Sequence, residues 1–173
     1  MNTLETIITR TSIRRYTDQL VSDADIRTIL QAGMSGPSCV NSRDWAFLVI
    51  KNKETLNKMA DANGRPAEPL RNAAFAVLVC GDIERAFPPA QEYWVIDGSI
   101  AAQNMILAAK DLGIGSVWLG TWPQMDRVKA QAQIFELPET IIPHSIIAFG
   151  YPAEEPKVKA PEWEADRIHY EQW

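Results

Sequence analysis

The 173-residue sequence is poor in the residues that build metal and disulfide sites, since it contains two cysteines and two histidines. Cys39 lies in a turn-like loop and Cys80 in an apolar run, and their spacing matches no metal or redox motif. Cys80 is predicted to be a buried small hydrophobe. No Ser/His/Asp or Cys/His set is evident, so His144 and His169 are predicted to be structural rather than catalytic.

The sequence also lacks an excess of positive charge. It has 17 Lys and Arg residues against 22 Asp and Glu residues, for a net charge of -5. This balance excludes a broad basic surface for nucleic acid or anionic membrane, so any anion site must be local. No signal-peptide pattern and no membrane-spanning apolar stretch is visible. We therefore expect a cytoplasmic protein with neither a nucleic-acid nor a membrane partner.

The glycine fingerprint of a doubly wound dinucleotide-binding fold is missing as well. Gly113 and Gly115 follow a predicted helix and are not followed by the required spacing. The length predicts one domain over residues 1–173, close to the size at which a subunit interface often completes burial.

The stretch from Trp94 to Leu112 is uncharged between Asp97 and Lys110 and predicts a central helix. Small and apolar side chains recur on one face at helical spacing: Gly98, Ala101, Ala102, Met105 and Ala109. Such a helix belongs in the centre of a domain or against a second subunit, with internal hydrogen-bond partners for Gln103 and Asn104.

Local signals predict the remaining elements. Capping boxes at Asn2 and Ser22 predict helices that end at Arg10 and near Ser35. A surface helix is predicted over residues 54–62 and a short helix over residues 126–135, with strands over residues 46–50, 75–80, 116–119 and 141–151. Pro143 indicates that the last strand begins at a sheet edge. Residues 84–92 form a candidate lid.

The segment Arg10-Thr11-Ser12-Ile13-Arg14 alternates in type and, if extended, places Arg10, Ser12 and Arg14 on one side. Two guanidinium groups and a hydroxyl on one edge suit a phosphate. The alternative is that Arg10 caps a helix end while Arg14 is solvated.

Two further loops carry candidate binding groups. Small and amide side chains from Gly36 to Trp45 precede a strand, and Asn41 can both donate to and accept from a heterocycle edge. The alternative is that Asn41 merely turns the chain. The turn Gly120-Thr121 exposes backbone amides at a strand end, where a ligand can approach.

The tail over residues 152–173 has little helical periodicity, yet it contains Trp163, Ile168, Tyr170 and Trp173. Side chains this apolar are expected to be covered, and a partner subunit is the natural candidate.

Several motifs occur together in a fixed order. Arg-x-Ser-x-Arg follows the first helix, Pro-Ser-x-x-Asn precedes a Trp and a strand, and the central helix is rich in Ala, Gln and Asn. Leu-Gly-x-Gly-x-x-Trp-x-Gly and Phe-Gly-Tyr-Pro follow. From about Arg10 to its end, the chain resembles the FMN-dependent nitroreductase family.

The resemblance implies an α+β fold with a mixed β-sheet flanked by helices. It also implies a homodimer in which the long central helices pack across the two-fold axis, with two FMN sites in the interface. The tail over residues 152–173 would then wrap the partner subunit.

The resemblance also assigns roles to particular residues. The FMN phosphate would be held by Arg10, Thr11, Ser12 and Arg14, with Lys157 and Lys159 completing the clamp. The flavin would be reached from the other subunit by Pro37, Ser38, Cys39 and Asn41. Backbone amides of Leu119 and Gly120, beside Thr121, would lie near flavin N5. A solvated tail is the alternative for the two lysines.

One position departs from the family pattern. Members often have Gln-Pro before the loop tryptophan, where this chain has Arg43-Asp44. The Arg43 guanidinium could stabilise the reduced flavin and raise its potential, or it could pair with Asp44 and have no effect.

The resemblance implies a ping-pong oxidoreductase that uses NADH or NADPH as donor and FMN as bound cofactor. Flat, electron-poor acceptors such as nitroaromatics or quinones are expected. Two alternatives remain: a specialised relative such as a reductive dehalogenase or an enoate-type reductase, and a flavin-binding dimer without turnover.

Overall fold

The fold is a four-stranded sheet with helices on both faces. The computed structural model describes residues 2–159 and 161–173. Five helices run α1 (Thr3–Thr9), α2 (Asp23–Met34), α3 (Lys53–Asn63), α4 (Tyr93–Asp111) and α5 (Met125–Ile134). Four strands run β1 (Trp45–Ile50), β2 (Phe75–Asp82), β3 (Gly115–Gly120) and β4 (Ile141–Gly150). Short 3₁₀ segments cover Cys39–Asn41, Arg65–Asn72, Pro88–Ala90 and Ala165–Arg167.

The predicted helix starts are confirmed by their capping hydrogen bonds. The Asn2 side chain accepts from the Glu5 amide at 2.9 Å, and Ser22 Oγ accepts from the Asp25 amide at 3.0 Å. Each bond satisfies one of the backbone donors that a helix leaves free at its N-terminus. These local bonds explain why the two starts could be read from short sequence patterns.

The strand order is β1-β2-β4-β3, and all three strand pairs are antiparallel. The nitroreductase-like α+β fold is confirmed, but the four strands do not themselves form a mixed sheet. Parallel pairing among the described residues is limited to an isolated bridge between Ser12 and Ser116. The parallel contact is this small because the Arg10–Arg14 segment touches β3 for only a short length.

Pro143 lies at the start of β4, where the sequence predicts a sheet edge. β4 is an inner strand that pairs with β2 on one side and β3 on the other. However, β3 reaches only as far as Ser145, so the first residues of β4 extend beyond it. The pairing with β2 shifts register between Val79 and Cys80, opposite Pro143. A bulge at this point accommodates a residue that has no amide hydrogen.

The sheet separates two apolar layers. The buried face of α4 packs with α2 against one side of the sheet, and it includes the predicted small residues Gly98, Ala101, Ala102, Met105 and Ala109. α3 and the Arg65–Asn72 segment cover the other side. The position of α4 in the centre of the domain is therefore confirmed. Gln103 differs from expectation, because it is exposed.

Apolar side chains remain uncovered on α1, on the outer face of α4 and in the tail. Leu4, Ile96, Trp163, Tyr170 and Trp173 are all more than half exposed. Exposed apolar side chains mark an interaction site where they form a contiguous patch. In the described part of the chain, no helix is both long and apolar enough to cross a bilayer.

Candidate functional site

The Arg10–Arg14 segment lies along the outer edge of β3. The Ile13 amide donates to the Ser116 carbonyl at 2.9 Å, beside the Ser12–Ser116 bridge. The two backbones approach closely because residue 115 is glycine, where an added Cβ would lie 2.8 Å from the Ile13 side chain. The segment is therefore held against the edge of β3 at Ser12 and Ile13.

This segment lines two neighbouring cavities. The first, of about 340 Å³, is lined by Thr11, Ser12 and Arg14 together with Lys157 of the tail. The second, of about 290 Å³, is lined by Arg10 and Thr11 beside the end of α4. The structure thus brings one predicted lysine next to the predicted arginines. Lys159 is exposed and lines neither cavity.

Glu154 and Glu155 also line the first cavity, but Arg15 forms an ion pair with Glu154. Arg15 Nη1 lies 2.8 Å from Glu154 Oε1. Arg14 and Lys157 are found in none of the ion pairs among the described residues. Two unpaired cations and a serine hydroxyl at one cavity are suited to an anion such as a phosphate.

A larger cleft of about 670 Å³ follows the outer edge of β3. It runs from Arg14 past Trp118 to Gly120 and is closed on its other side by Arg65 and Asn72. A Cβ added at Gly120 would meet no atom within 4 Å. The cleft therefore has open space directly against the backbone at the end of β3.

The backbone pattern of β3 determines which groups face this cleft. Because the Ser116 carbonyl points to the outer edge, the backbone groups of Trp118 and Gly120 point the same way. Leu119 instead directs its amide at β4, and its side chain is buried. Residues along a strand alternate between its two edges, so the register of β3 turns the Leu119 amide, which was predicted to lie near flavin N5, towards β4.

Thr121 also differs from expectation. It is fully buried, and its hydroxyl donates to Asn63 Oδ1 at 3.1 Å. The accessible part of the turn is therefore Gly120 alone.

The Pro37–Arg43 loop lies apart from the Arg10–Arg14 cavities and lines neither of them nor the β3 cleft. The loop is held internally, since Ser38 Oγ accepts from the Arg43 amide at 3.0 Å. The Cys39 amide donates to Asp97 Oδ2 of α4 at 2.9 Å. Asn41 is exposed and has a positive φ of 57°. One chain thus presents two separate groups of the predicted residues.

Arg43 does not pair with Asp44. Its guanidinium carbon lies 5.6 Å from the centroid of the Trp45 ring, which indicates a cation–π contact. The Asp44 carboxylate is completely buried, and neither oxygen has a hydrogen-bond partner among the described residues. Burial, together with the charge of Asp97, raises the pKa of Asp44 to about 6.

His144 lies among aromatic rings near the start of α4. Its Nε2 is 3.2 Å from Ser99 Oγ and its Nδ1 is 3.0 Å from Ser145 Oγ. Burial lowers the pKa of His144 to about 4, so the ring is neutral at physiological pH. Both nitrogens are occupied by neighbouring hydroxyls, which supports the prediction of a structural role.

The sequence patterns did not identify the groups that surround Gly120. The Gly120 carbonyl accepts from Asn63 Nδ2 at 3.2 Å and from Arg127 Nη1 at 2.9 Å. Asn63 belongs to α3, 57 residues from Gly120 along the chain, and Arg127 belongs to α5, seven residues from it. Arg65 and Asn72, which also line the cleft, belong to the short 3₁₀ segment between α3 and β2. None of the four stands in a recognisable motif, so no sequence signal could have found them.

The cleft and its adjoining cavities can hold an extended molecule with an anionic end and a flat end. Cations and a hydroxyl lie at one end, and open backbone edge lies at the other. Within the described residues, no group of three or more His, Cys, Asp or Glu side chains converges to hold a metal. These features fit a flavin mononucleotide in charge and in chemistry.

Comparison with known proteins agrees with this geometry. The model of the Nitroreductase family matches residues 7–84 and 63–151. A Methanothermobacter thermautotrophicus protein is 44% identical over 173 residues, covering all of this chain and 88% of the relative. It is named "Putative NADH dehydrogenase/NAD(P)H nitroreductase".

Solved structures show the same fold. A Parabacteroides distasonis structure with the same name superposes with a TM-score of 0.92 at 34% identity, covering 100% of both chains. An FMN-dependent nitroreductase from Clostridium difficile R20291 gives a TM-score of 0.88 at 28% identity, covering 98% of this chain and 99% of that one. The chain is therefore an oxidoreductase, related to NAD(P)H-dependent flavin reductases and nitroreductases. The family match, the sequence identity and the shared fold together show that it belongs to the nitroreductase family.

Proposed function

We propose that the chain binds FMN in the β3 cleft and uses it to pass electrons from NADH or NADPH to a flat, electron-poor acceptor such as a nitroaromatic or a quinone. The observation that carries this proposal is the continuity between the cation-lined cavity and the open edge of β3. Arg14 lines both, so one extended ligand can reach both. When bound, FMN would supply hydride transfer at its N5 position.

The residues of this chain would bind and orient the cofactor. Arg10, Ser12 and Arg14 would donate to the phosphate, with Lys157 adding a fourth polar contact. The amide of Gly120 would face the edge of the ring, and the missing Cβ at that residue leaves room for it. We assign no side-chain general acid, because His144 is neutral, buried and already hydrogen-bonded on both nitrogens.

We further propose that the site is completed by a second copy of the chain. The predicted residues Pro37, Ser38, Cys39, Asn41 and Arg43 lie outside the cleft of their own chain, so they would reach the ring of the partner's cofactor. The exposed apolar residues of α1, α4 and the tail would form the interface. Donor and acceptor would then use the same open face in turn, which is a ping-pong scheme.

An anaerobic reduction experiment tests this function. Purified protein loaded with FMN is mixed with NADH or NADPH in the absence of oxygen, and the visible flavin absorption is followed. We expect the absorption to bleach and to return when a quinone or a nitroarene is added. A flavin that stays oxidised with both donors would contradict the proposal and favour a binding protein without turnover.

Acceptor choice distinguishes this proposal from the specialised relatives. Rates of reoxidation are compared for a nitroarene, a quinone, an enoate and a halogenated arene under the same conditions. We expect the nitroarene and the quinone to react faster than the other two. The reverse order would favour an enoate-type reductase or a reductive dehalogenase.

A further inference from the structure

Gly120 lies beside open space, and its backbone is flexible unless other groups hold it. An added Cβ would meet nothing within 4 Å, so the position is open to a ligand. Glycine also gives the backbone more conformational freedom than any other residue. A glycine amide that must point in one fixed direction therefore needs support from outside the strand.

The carbonyl of Gly120 has that support. It accepts two hydrogen bonds, from Asn63 Nδ2 at 3.2 Å and from Arg127 Nη1 at 2.9 Å. A carbonyl oxygen has two lone pairs, so both can be used here. One bond would satisfy the oxygen, and the second, from a charged donor, fixes its direction.

The two supporting side chains are themselves positioned. Asn63 is buried, and its Oδ1 accepts from the Thr121 hydroxyl at 3.1 Å, so its amide group cannot turn without losing a bond. Arg127 is part of α5, which is joined to α3 by the bond from Gln131 Nε2 to the Met59 carbonyl at 2.9 Å. The support therefore belongs to the rigid layer of helices and not to a loop.

The charge of Arg127 has no acidic partner. None of the ion pairs found among the described residues includes it. Its guanidinium is instead bonded to a neutral carbonyl beside the cleft. A positive charge in this position favours a negative charge that forms nearby.

We propose that Arg127 and Asn63 are positioning residues of the cofactor site: they hold the Gly120 carbonyl so that the amide of the same residue faces the flavin edge, and Arg127 favours the reduced ring. The N–H and C=O groups of a strand residue point to the same edge, so fixing the carbonyl also fixes the amide. This inference rests on the proposed FMN function.

The test compares Arg127→Met with Lys129→Met. Both changes remove one positive charge from α5, but Lys129 is exposed and lies two residues away from Arg127. The midpoint potential of bound FMN is measured in each variant and in the natural protein. We expect Arg127→Met to bind reduced FMN about tenfold less well relative to oxidised FMN, which lowers the potential by about 30 mV for a two-electron couple. Lys129→Met should leave the potential unchanged.

A second measurement does not depend on the cofactor. The ¹³C chemical shift of the Gly120 carbonyl is recorded in the flavin-free protein, because this signal responds to the hydrogen bonds that the oxygen accepts. We expect the shift to change in Arg127→Met and not in Lys129→Met. Arg127→Lys, which retains the charge and one possible donor, should recover part of both the carbonyl shift and the potential.

The outcomes separate this inference from the function on which it rests. If the natural protein does not bind FMN, the proposed function fails. If the natural protein binds and reduces FMN but Arg127→Met and Lys129→Met have equal potentials, the positioning role is wrong. It is also wrong if the Gly120 carbonyl signal is the same in both variants, even where Arg127→Met no longer retains FMN.

Discussion

Replacing Arg14 with glutamine separates a specific phosphate contact from a general effect of charge. Arg14 is exposed and lines both the cavity shared with Ser12 and Lys157 and the cleft that reaches Gly120. Glutamine keeps a polar, hydrogen-bonding side chain, but it is shorter and carries no charge. Because Arg14 makes no ion pair among the described residues, its replacement should leave the fold intact.

The size of the effect follows from the strength of one charged hydrogen-bonding group. A hydrogen bond to a charged group contributes about 1.5–3 kcal/mol. The side chain is exposed in the single chain, so the lower value applies, and Arg14→Gln should weaken FMN binding about tenfold. Riboflavin lacks the phosphate, and its affinity should change little.

The neighbouring residue provides a matched control. Arg15 lines the same two cavities, but its guanidinium pairs with Glu154 at 2.8 Å, and the two side chains are 80% and 61% exposed. Arg15→Gln removes the same charge one residue away. Dissociation constants for FMN and riboflavin are measured by quenching of flavin fluorescence. Equal losses of FMN affinity in the two variants, or an equal loss for riboflavin in Arg14→Gln, would refute the phosphate contact.

Three further predictions concern the ring end of the cleft, a buried carboxyl group and the tail. Gly120→Ala should leave the thermal midpoint of the flavin-free protein unchanged, since the new methyl group meets no atom. The methyl group should nevertheless weaken FMN binding, because it occupies the cleft. An unchanged FMN affinity would contradict the proposed position of the flavin ring. The pKa of Asp44 is raised to about 6 from 3.8, so the folded state binds the proton more tightly than the unfolded state does. The protonated Asp44 carboxyl therefore stabilises the fold fully below about pH 4, and this stabilisation is lost as the pH rises through 6. In denaturant titrations, the free energy of unfolding of Asp44→Asn should therefore rise relative to that of the natural protein between pH 4 and pH 7, by at most about 3 kcal/mol. A difference in unfolding free energy that does not vary with pH would count against the burial of the charge. Removing residues 161–173, which include Trp163, Tyr170 and Trp173, should shift the sedimentation coefficient towards that of a monomer, whereas an unchanged dimer would show that the tail does not contribute to the interface.

The sequence predicted those parts of the fold that depend on neighbouring residues. Caps at Asn2 and Ser22 are bonds between residues three apart, and the buried face of α4 repeats at helical spacing. The order of the strands depends instead on contacts between distant segments. For this reason the antiparallel pairing of all four strands and the inner position of β4 were not visible in the sequence.

The candidate site was predictable to a similar extent. The alternation from Arg10 to Arg14 indicated a phosphate site, and the structure places Ser12 and Arg14 at one cavity with Lys157 and Arg10 at the neighbouring one. The sequence did not show that the Leu119 amide faces β4, because the direction of a strand's backbone groups depends on its register with its neighbours. It also did not show that Thr121 is buried against Asn63, because that contact joins segments distant in the chain. Asn63 and Arg127 reach Gly120 through the packing of α3 and α5, which no local pattern encodes.

Sedimentation velocity followed at the visible absorption of the flavin tests whether each FMN site is shared between two copies of the chain. We predict that all bound FMN sediments with a dimer, at one FMN for each chain, because the Arg10–Arg14 cavity and the Pro37–Arg43 loop of one site would come from different subunits. FMN that sediments at full occupancy with a monomer, or a colourless protein that takes up no added FMN, would contradict it.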